Sequence, residues 1–154
     1  MKANKQSTLP LDALDARILD LYRRNTRLSA DAIGEAVGLS STAVQRRLKR
    51  MRESGVIHAE VALVSPAALG IGLTCIVRVD LEREGPVEVD RFRARVTRSE
   101  AVRQCWHVTG ESDFVLVVQV ADLPAYEAFA RQWLTSDDNV LGYKTEVVMG
   151  PVDC

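Results

Sequence analysis

The stretch from Ser29 to Ile57, SADAIGEAVGLSSTAVQRRLKRMRESGVI, constrains this chain more than any other, because its caps, its turn and its periodicity all fit two short helices with a sharp corner between them. Ser29 is placed to cap the first helix, Ile33 and Val37 give that helix an apolar side at four-residue spacing, and Gly38 supplies the left-handed exit that a tight turn needs. Ser40 caps a second helix, in which Val44, Leu48 and Met51 fall at i, i+4 and i+7. At about 100° per residue they form one narrow core stripe. Ser41, Thr42, Gln45, Arg46, Arg47, Lys49 and Arg50 lie off that stripe. They mix hydroxyl and amide groups, which bond base edges, with cations, which bond guanines or neutralise phosphates. Two helices in this order, the second one basic, are the helix-turn-helix layout of a reader of double-stranded DNA.

Charge on an amphipathic helix is often no more than a solvated face. Between Ser41 and Gly55, however, five Lys or Arg residues stand against a single acid, Glu53, so the local sequence lacks the i, i+4 pairs that balance an exposed helix. That surplus favours DNA contact. Charge also divides the chain: residues 1–65 hold 11 Lys or Arg and 7 Asp or Glu, whereas residues 66–154 hold 9 and 14. An acidic second half repels DNA and needs another task, and 154 residues accommodate two small domains. Cys75, Cys105 and Cys154 are an odd set at spacings that match no zinc pattern, and no charged, apolar leader precedes the first helix. The chain is therefore expected in the cytoplasm with reduced thiols, with no metal and no cofactor. No apolar run approaches the roughly 18 residues of a membrane span.

Along the chain, Met1 to Pro10 is polar and expected to fray. The first helix begins at Leu11 or Asp12 and turns Leu14, Ile18 and Leu21, with Leu11 behind them, onto the helix-turn-helix pair. Val56 to Val64 has β-branched character and predicts a strand leaving this unit, with Ser65-Pro66 the first break, so the DNA-binding domain is placed at 11–64. The second domain, 66–149, alternates strand and helix. Strands are predicted over Gly72–Leu81, Val102–Thr109, Asp113–Val120 and Val140–Val148. Helices are predicted over Val87–Arg98, on Val89, Phe92 and Val96, and over Leu123–Leu134, on Tyr126, Phe129, Ala130 and Trp133. The order βαββαβ predicts an α+β, ferredoxin-like domain with both helices on one face of a four-stranded antiparallel sheet. Strand 113–120 is apolar on both faces apart from Gln119, and Thr74 and Ile76 sit opposite the core side of their own strand. A second copy of the sheet is the expected cover, which makes a homodimer. Two half-sites on DNA suit a dimer as well.

Several motifs then fall in one order. Leu11-Asp12-Ala13-Leu14-Asp15 with Ile18-Leu19 reads LDxxDxxIL; Val37-Gly38-Leu39-Ser40 and Arg46-Arg47-Leu48 follow; Glu53-Ser54-Gly55-Val56-Ile57 reads ExxGVI; Val108 to Phe114 holds a glycine turn with Asp113; and Tyr126 with Phe129 reads YxxF. From about Leu11 to Met149 the chain resembles the feast/famine regulators, the leucine-responsive and asparagine-regulator family of transcription factors. That resemblance implies an N-terminal helix-turn-helix, a C-terminal ferredoxin-like domain that senses a small effector such as an amino acid, and assembly from dimers into octamers or larger discs.

It also implies an effector role for Thr109, Gly110, Glu111, Ser112 and Asp113. The family turn is usually SGDxD, and this chain departs from it with Thr109 for serine and Glu111-Ser112 between glycine and aspartate. The residues alone fit an ordinary hairpin turn better. As a ligand site, Gly110 would allow close approach, Thr109 and freed backbone groups would bond a carboxylate, and Glu111 or Asp113 would hold an α-ammonium.

Other chemistry is thin. Cys105 and His107 share a strand face without a third orienting group, His58 stands alone, and Trp106 and Trp133 read as core or interface aromatics. No catalytic set stands out, and the chain reads as no enzyme. The siroheme decarboxylases resemble the same two-domain layout and form the enzymatic alternative; an effector-independent architectural DNA-binding protein is another. The basic helix face favours a regulator, and two histidines are few for tetrapyrrole chemistry.

Overall fold

A computed structural model describes residues 10–150. The expected frayed start falls almost wholly outside these residues, as does Cys154. The chain divides into two compact units, Met1–Leu63 and Val64–Cys154.

The first unit is three helices: α1 (Ala13–Arg24), α2 (Ala30–Val37) and α3 (Ser41–Glu53). Local chemistry sets each boundary. Asp12 caps α1 in a reciprocal box, its carboxylate accepting from the Asp15 N–H at 2.7 Å while the Asp15 carboxylate accepts from the Asp12 N–H at 3.2 Å. Ser29 accepts from the Ala32 N–H and Ser40 from the Ala43 N–H, as their positions before α2 and α3 foretell. Gly38 ends α2 at φ +76°, a conformation that side chains rarely adopt.

Ile18, Tyr22, Ile33, Val37, Val44, Leu48 and Met51 form the core. The buried side of α1 differs from the expected one: Leu14 and Leu21 are only half-buried, and the inward line runs Asp15, Ile18, Tyr22. Tyr22 enters because its hydroxyl finds a partner, Arg52, at 2.8 Å. Gly34, inside α2, lies against the turn itself: a Cβ there would stand 2.4 Å from the Leu39 carbonyl oxygen.

The predicted strand over Val56–Val64 is corrected. Val56 and Ile57 pack on the helical core, but no strand is present from His58 to Ser65, and Val61, Leu63 and Val64 are exposed. β-propensity describes a fit to a neighbouring strand, and no described residue offers one here.

The second unit is ferredoxin-like: β1 (Leu73–Leu81), α4 (Pro86–Val96), β2 (Val102–His107), β3 (Phe114–Val120), α5 (Leu123–Ala130) and β4 (Val140–Val147), with sheet order β2-β3-β1-β4 and every pair antiparallel. The period-2 alternation decides the faces. Cys75, Val77, Val79 and Leu81 of β1 and Phe114, Leu116 and Val118 of β3 turn to the helices, where Phe92 and Val96 of α4 and Tyr126, Phe129 and Ala130 of α5 complete the core. Past Ala130 the helix relaxes into a π-type turn, Arg131–Thr135, that carries buried Leu134. The opposite face presents Ile76, Val115 and Val117 half-buried, with Trp106 opposite Val115 in the register and 45% exposed.

Candidate nucleic-acid interface and effector turn

The α3 helix sorts its side chains by angle. Val44, Leu48 and Met51 are buried, and on the far side Thr42, Gln45, Arg46 and Lys49 are exposed, with Ser41 half-buried at the helix start. Residues 42, 45, 46 and 49 lie at i, i+3, i+4 and i+7, a stripe directed away from the core. The core residues of α1 and α2 hold α3 from behind, so the stripe is presented rigidly.

The five cations of α3 are not equivalent. Arg47 places Nη1 2.7 Å from both Asp12 Oδ2 and Asp15 Oδ1, and Arg50 reaches Asp15 Oδ2. Arg52 donates to Glu60 and to the Tyr22 hydroxyl, each at 2.8 Å, and its guanidinium lies over the Tyr22 ring. Lys49 is 3.8 Å from Glu53 and 75% exposed, so the expectation that α3 lacks i, i+4 pairs is corrected by this one pair. Arg46 alone among the five has no carboxylate partner within the described residues.

Arg47 and Arg50, both expected at the DNA face, are thus paired in the structure with acids 32 to 35 residues away in sequence. Sequence reasoning missed Asp12, Asp15, Tyr22 and Glu60 as partners. The signal was the acid pair spaced Asp-x-x-Asp at the start of α1, which reads both as a cap and as a receptor for α3. The Asp15 N–H and then Arg47 hold the Asp12 carboxyl below its usual range, and Arg52 followed by Tyr22 does the same for Glu60.

The five residues of the glycine turn are brought together where β2 and β3 join. Val108 N–H donates to the Asp113 carbonyl at 2.9 Å, and Asp113 N–H donates to the Val79 carbonyl at 3.1 Å. Leu81 N–H donates to the Asp113 carboxylate at 2.7 Å, so this side chain pins the end of β1 to the hairpin. Gly110 holds φ +130° with open space where a Cβ would go; Thr109, Gly110 and Glu111 are exposed, and Ser112 and Asp113 are half-buried. The two bonds to Asp113 bracket Asp80, whose Oδ1 is buried without a hydrogen-bond partner among the described residues. A buried carboxylate oxygen without a donor is uncommon in folded proteins.

A separate concavity of about 220 Å³ is lined by Arg83, Val87, Glu88, Arg91, Phe92, Asp137 and Asn139, none of them in the turn. Cys105 and His107 both face the helix side of β2, the His107 ring 5.1 Å from Phe114. Among the described residues no cluster of three His, Cys, Asp or Glu is placed to hold a metal, and no helix is long and apolar enough to cross a membrane.

Comparison with known proteins places both units. The AsnC-type helix-turn-helix domain family matches residues 11–52, and the Lrp/AsnC ligand binding domain family matches residues 74–154. The chain belongs to the Lrp/AsnC family of transcriptional regulators. Like other Lrp/AsnC proteins it couples a DNA-binding helix-turn-helix to a ligand-binding ferredoxin-like domain. It is 43% identical over 144 residues to an HTH-type transcriptional regulator of Sinorhizobium fredii, across 94% of this chain and 85% of that one. It is 34% identical over 151 residues to the leucine-responsive regulatory protein of Haemophilus influenzae, across 98% and 91%. A transcriptional regulator of Neisseria meningitidis, solved as a complex with L-Met, superposes with a TM-score of 0.84 at 30% identity, covering 94% of each chain.

Proposed function

We propose that this regulator reads operator DNA through Ser41, Thr42, Gln45, Arg46 and Lys49, and that an amino acid bound at the turn Thr109–Asp113 changes its assembly or its hold on DNA. The observation that carries the DNA reading is the α3 stripe itself, where hydroxyl, amide and cation stand together opposite the core and Arg46 has no carboxylate partner among the described residues. Arg is the side chain best shaped for a bidentate bond to guanine, and Gln45 and Thr42 suit neighbouring base edges. Lys49 serves a phosphate.

The amino-acid reading is supported by the L-Met bound to the Neisseria regulator and by the orphaned Asp80 oxygen beside the turn, where an ammonium would be welcome. Asp113 has one oxygen committed to Leu81, which leaves Glu111 and Asp80 as the freer carboxylates. A homodimer built on the open sheet face, growing to an octamer, would cover Trp106, Ile76, Val115 and Val117. The protein acts in the cytoplasm, where its DNA lies. The decarboxylase alternative rests on the shared layout alone, whereas both matched domain families are those of regulators.

The test is a thermal-shift screen against the twenty amino acids, followed by gel-shift titration on the promoter fragment beside its own gene. An amino acid that raises Tm should also change the gel shift, and Thr109→Val with Glu111→Ala, both at exposed positions, should abolish that change while leaving ligand-free DNA binding intact. An unaltered ligand response in the double variant would place the effector elsewhere.

A further inference from the structure

The charge arrangement behind α3 bears on specificity as well as stability. Asp15 is fully buried, yet both its oxygens face cations: Oδ1 takes Arg47 and Oδ2 takes Arg50, with the Asp12 N–H on Oδ2 as well. Arg47 is only 20% exposed and is shared with Asp12. Non-specific affinity for DNA comes from cations that displace counterions at phosphates, and each such contact adds to the salt dependence without reading a base. Five cations on one helix would make a protein that holds all DNA tightly and discriminates poorly. We propose that Asp15 sets the specificity of the reading helix by withholding Arg47 and Arg50 from the phosphate backbone.

Asp15 is a positioning residue. It touches no DNA and acts through where it sends two guanidiniums. Pulling either guanidinium fully onto a phosphate would weaken its hold on a desolvated carboxylate, and an uncompensated buried charge is far costlier than a solvent-exposed phosphate contact is favourable. Arg50, bound to Asp15 through Nη2 alone and 46% exposed, is the less firmly held of the two. Arg47 faces the stronger hold, since two carboxylates share it. On the outward stripe of α3, contact with arbitrary DNA then falls to Arg46 and Lys49, while Thr42, Gln45 and Arg46 supply discrimination. The inference rests on α3 being the reading helix.

The experiment measures affinity of the full chain for a short mixed-sequence duplex lacking any operator, over a range of salt, with Tm recorded for each variant. Asp15→Asn keeps the shape of the side chain and removes its charge. It should bind the mixed duplex more tightly at low salt and steepen the log–log salt slope by about 0.9 to 1.8 per bound protomer, one step for each arginine released. Raising the salt roughly fourfold should then cost it up to roughly tenfold more affinity than it costs the wild type. The triple variant Asp15→Asn, Arg47→Gln, Arg50→Gln should return to the wild-type slope. A purely structural role for Asp15 would lower Tm and leave the slope alone, and a wild-type slope in folded Asp15→Asn overturns the proposal.

Should Asp15→Asn not fold, Arg50→Gln decides, since Asp15 then keeps Arg47. An unchanged slope supports withholding, and a slope shallower by about 0.9 shows Arg50 on a phosphate in the wild type and overturns it. Arg46→Ala with Lys49→Ala gauges the underlying reading separately: if that pair leaves the slope unchanged, the assignment of α3 has failed, not the role of Asp15 alone.

Discussion

Replacing Gly34 with alanine separates what a helix prefers from what this turn allows. In an isolated helix Gly→Ala is stabilising by about 1 kcal/mol, because alanine loses less backbone freedom. Here the added Cβ would lie 2.4 Å from the Leu39 carbonyl oxygen and 3.4 Å from its carbon, so the turn must retreat by about 0.6 Å to restore even a 3.0 Å approach. The turn is not free to do so. Leu39 N–H donates to the Gly34 carbonyl at 2.9 Å, and Gly38 N–H to the same oxygen at 2.8 Å. Overpacking against backbone falls at the upper end of the usual 1–3 kcal/mol, which leaves a net loss of about 2 kcal/mol after the helix gain. For a unit of this size that is a fall in Tm of about 8–16 °C, read by circular dichroism on the full chain. Because the Leu39–Ser40 backbone leads directly into α3, DNA affinity should fall with it. Glu35→Ala, one residue along at an exposed site, should change Tm little. If Gly34→Ala melts at or above the wild-type temperature, propensity has won and the close approach between α2 and its turn is wrong.

The remaining predictions concern DNA, acid, the turn and the sheet. Arg46→Ala should reduce the preference for operator over mixed DNA by about 1–3 kcal/mol without lowering Tm, as measured by competition gel shift, and a retained preference would remove Arg46 from base contact. Asp12 has its carboxyl held below the ordinary 3.8 by the Asp15 N–H and Arg47, so its contribution is present at neutral pH and lost as pH falls through that lowered value. Asp12→Asn should therefore show a smaller fall in Tm below about pH 4 than the wild type does, and parallel curves would refute the cap's electrostatic share. Asp113→Ala should cost about 1–3 kcal/mol in thermal or urea unfolding by stranding the Leu81 N–H, whatever it does to ligand response. Trp106→Glu should shift the protein toward monomer in sedimentation, and an unchanged mass would exclude the open sheet face as the contact.

What was legible in the sequence was what depends on neighbours in the chain. Ser29, Ser40 and Gly38 act on backbone groups three or four residues away, so their roles follow from position. The period-2 strands of the second unit alternate against a face their own residues define, so the strands and their core side emerged together. What depends on remote partners was not legible. The surplus of cations in α3 was real locally, but Asp12, Asp15 and Glu60 meet three of those arginines through the fold. Tyr22 displaced Leu21 from the inward line because its hydroxyl reaches Arg52, a pairing no helical period encodes. The expected strand after Ile57 failed since a strand is a relation between two segments, and β-branched residues describe only one of them. At the turn, the residue types were read, but the commitment of Asp113 to Leu81 and the unpaired Asp80 oxygen among the described residues required coordinates.

The stripe on α3 carries no packing duty. Thr42, Gln45, Arg46 and Lys49 are all exposed, while the cations that brace the helix, Arg47, Arg50 and Arg52, sit on its flanks. Substitutions along the stripe should thus leave folding stability within about 0.5 kcal/mol, even as they rewrite which bases are preferred. The two properties are inherited on different residues of one helix. A duplicated copy of such a gene can drift to a new operator by single steps, none of which passes through an unfolded intermediate.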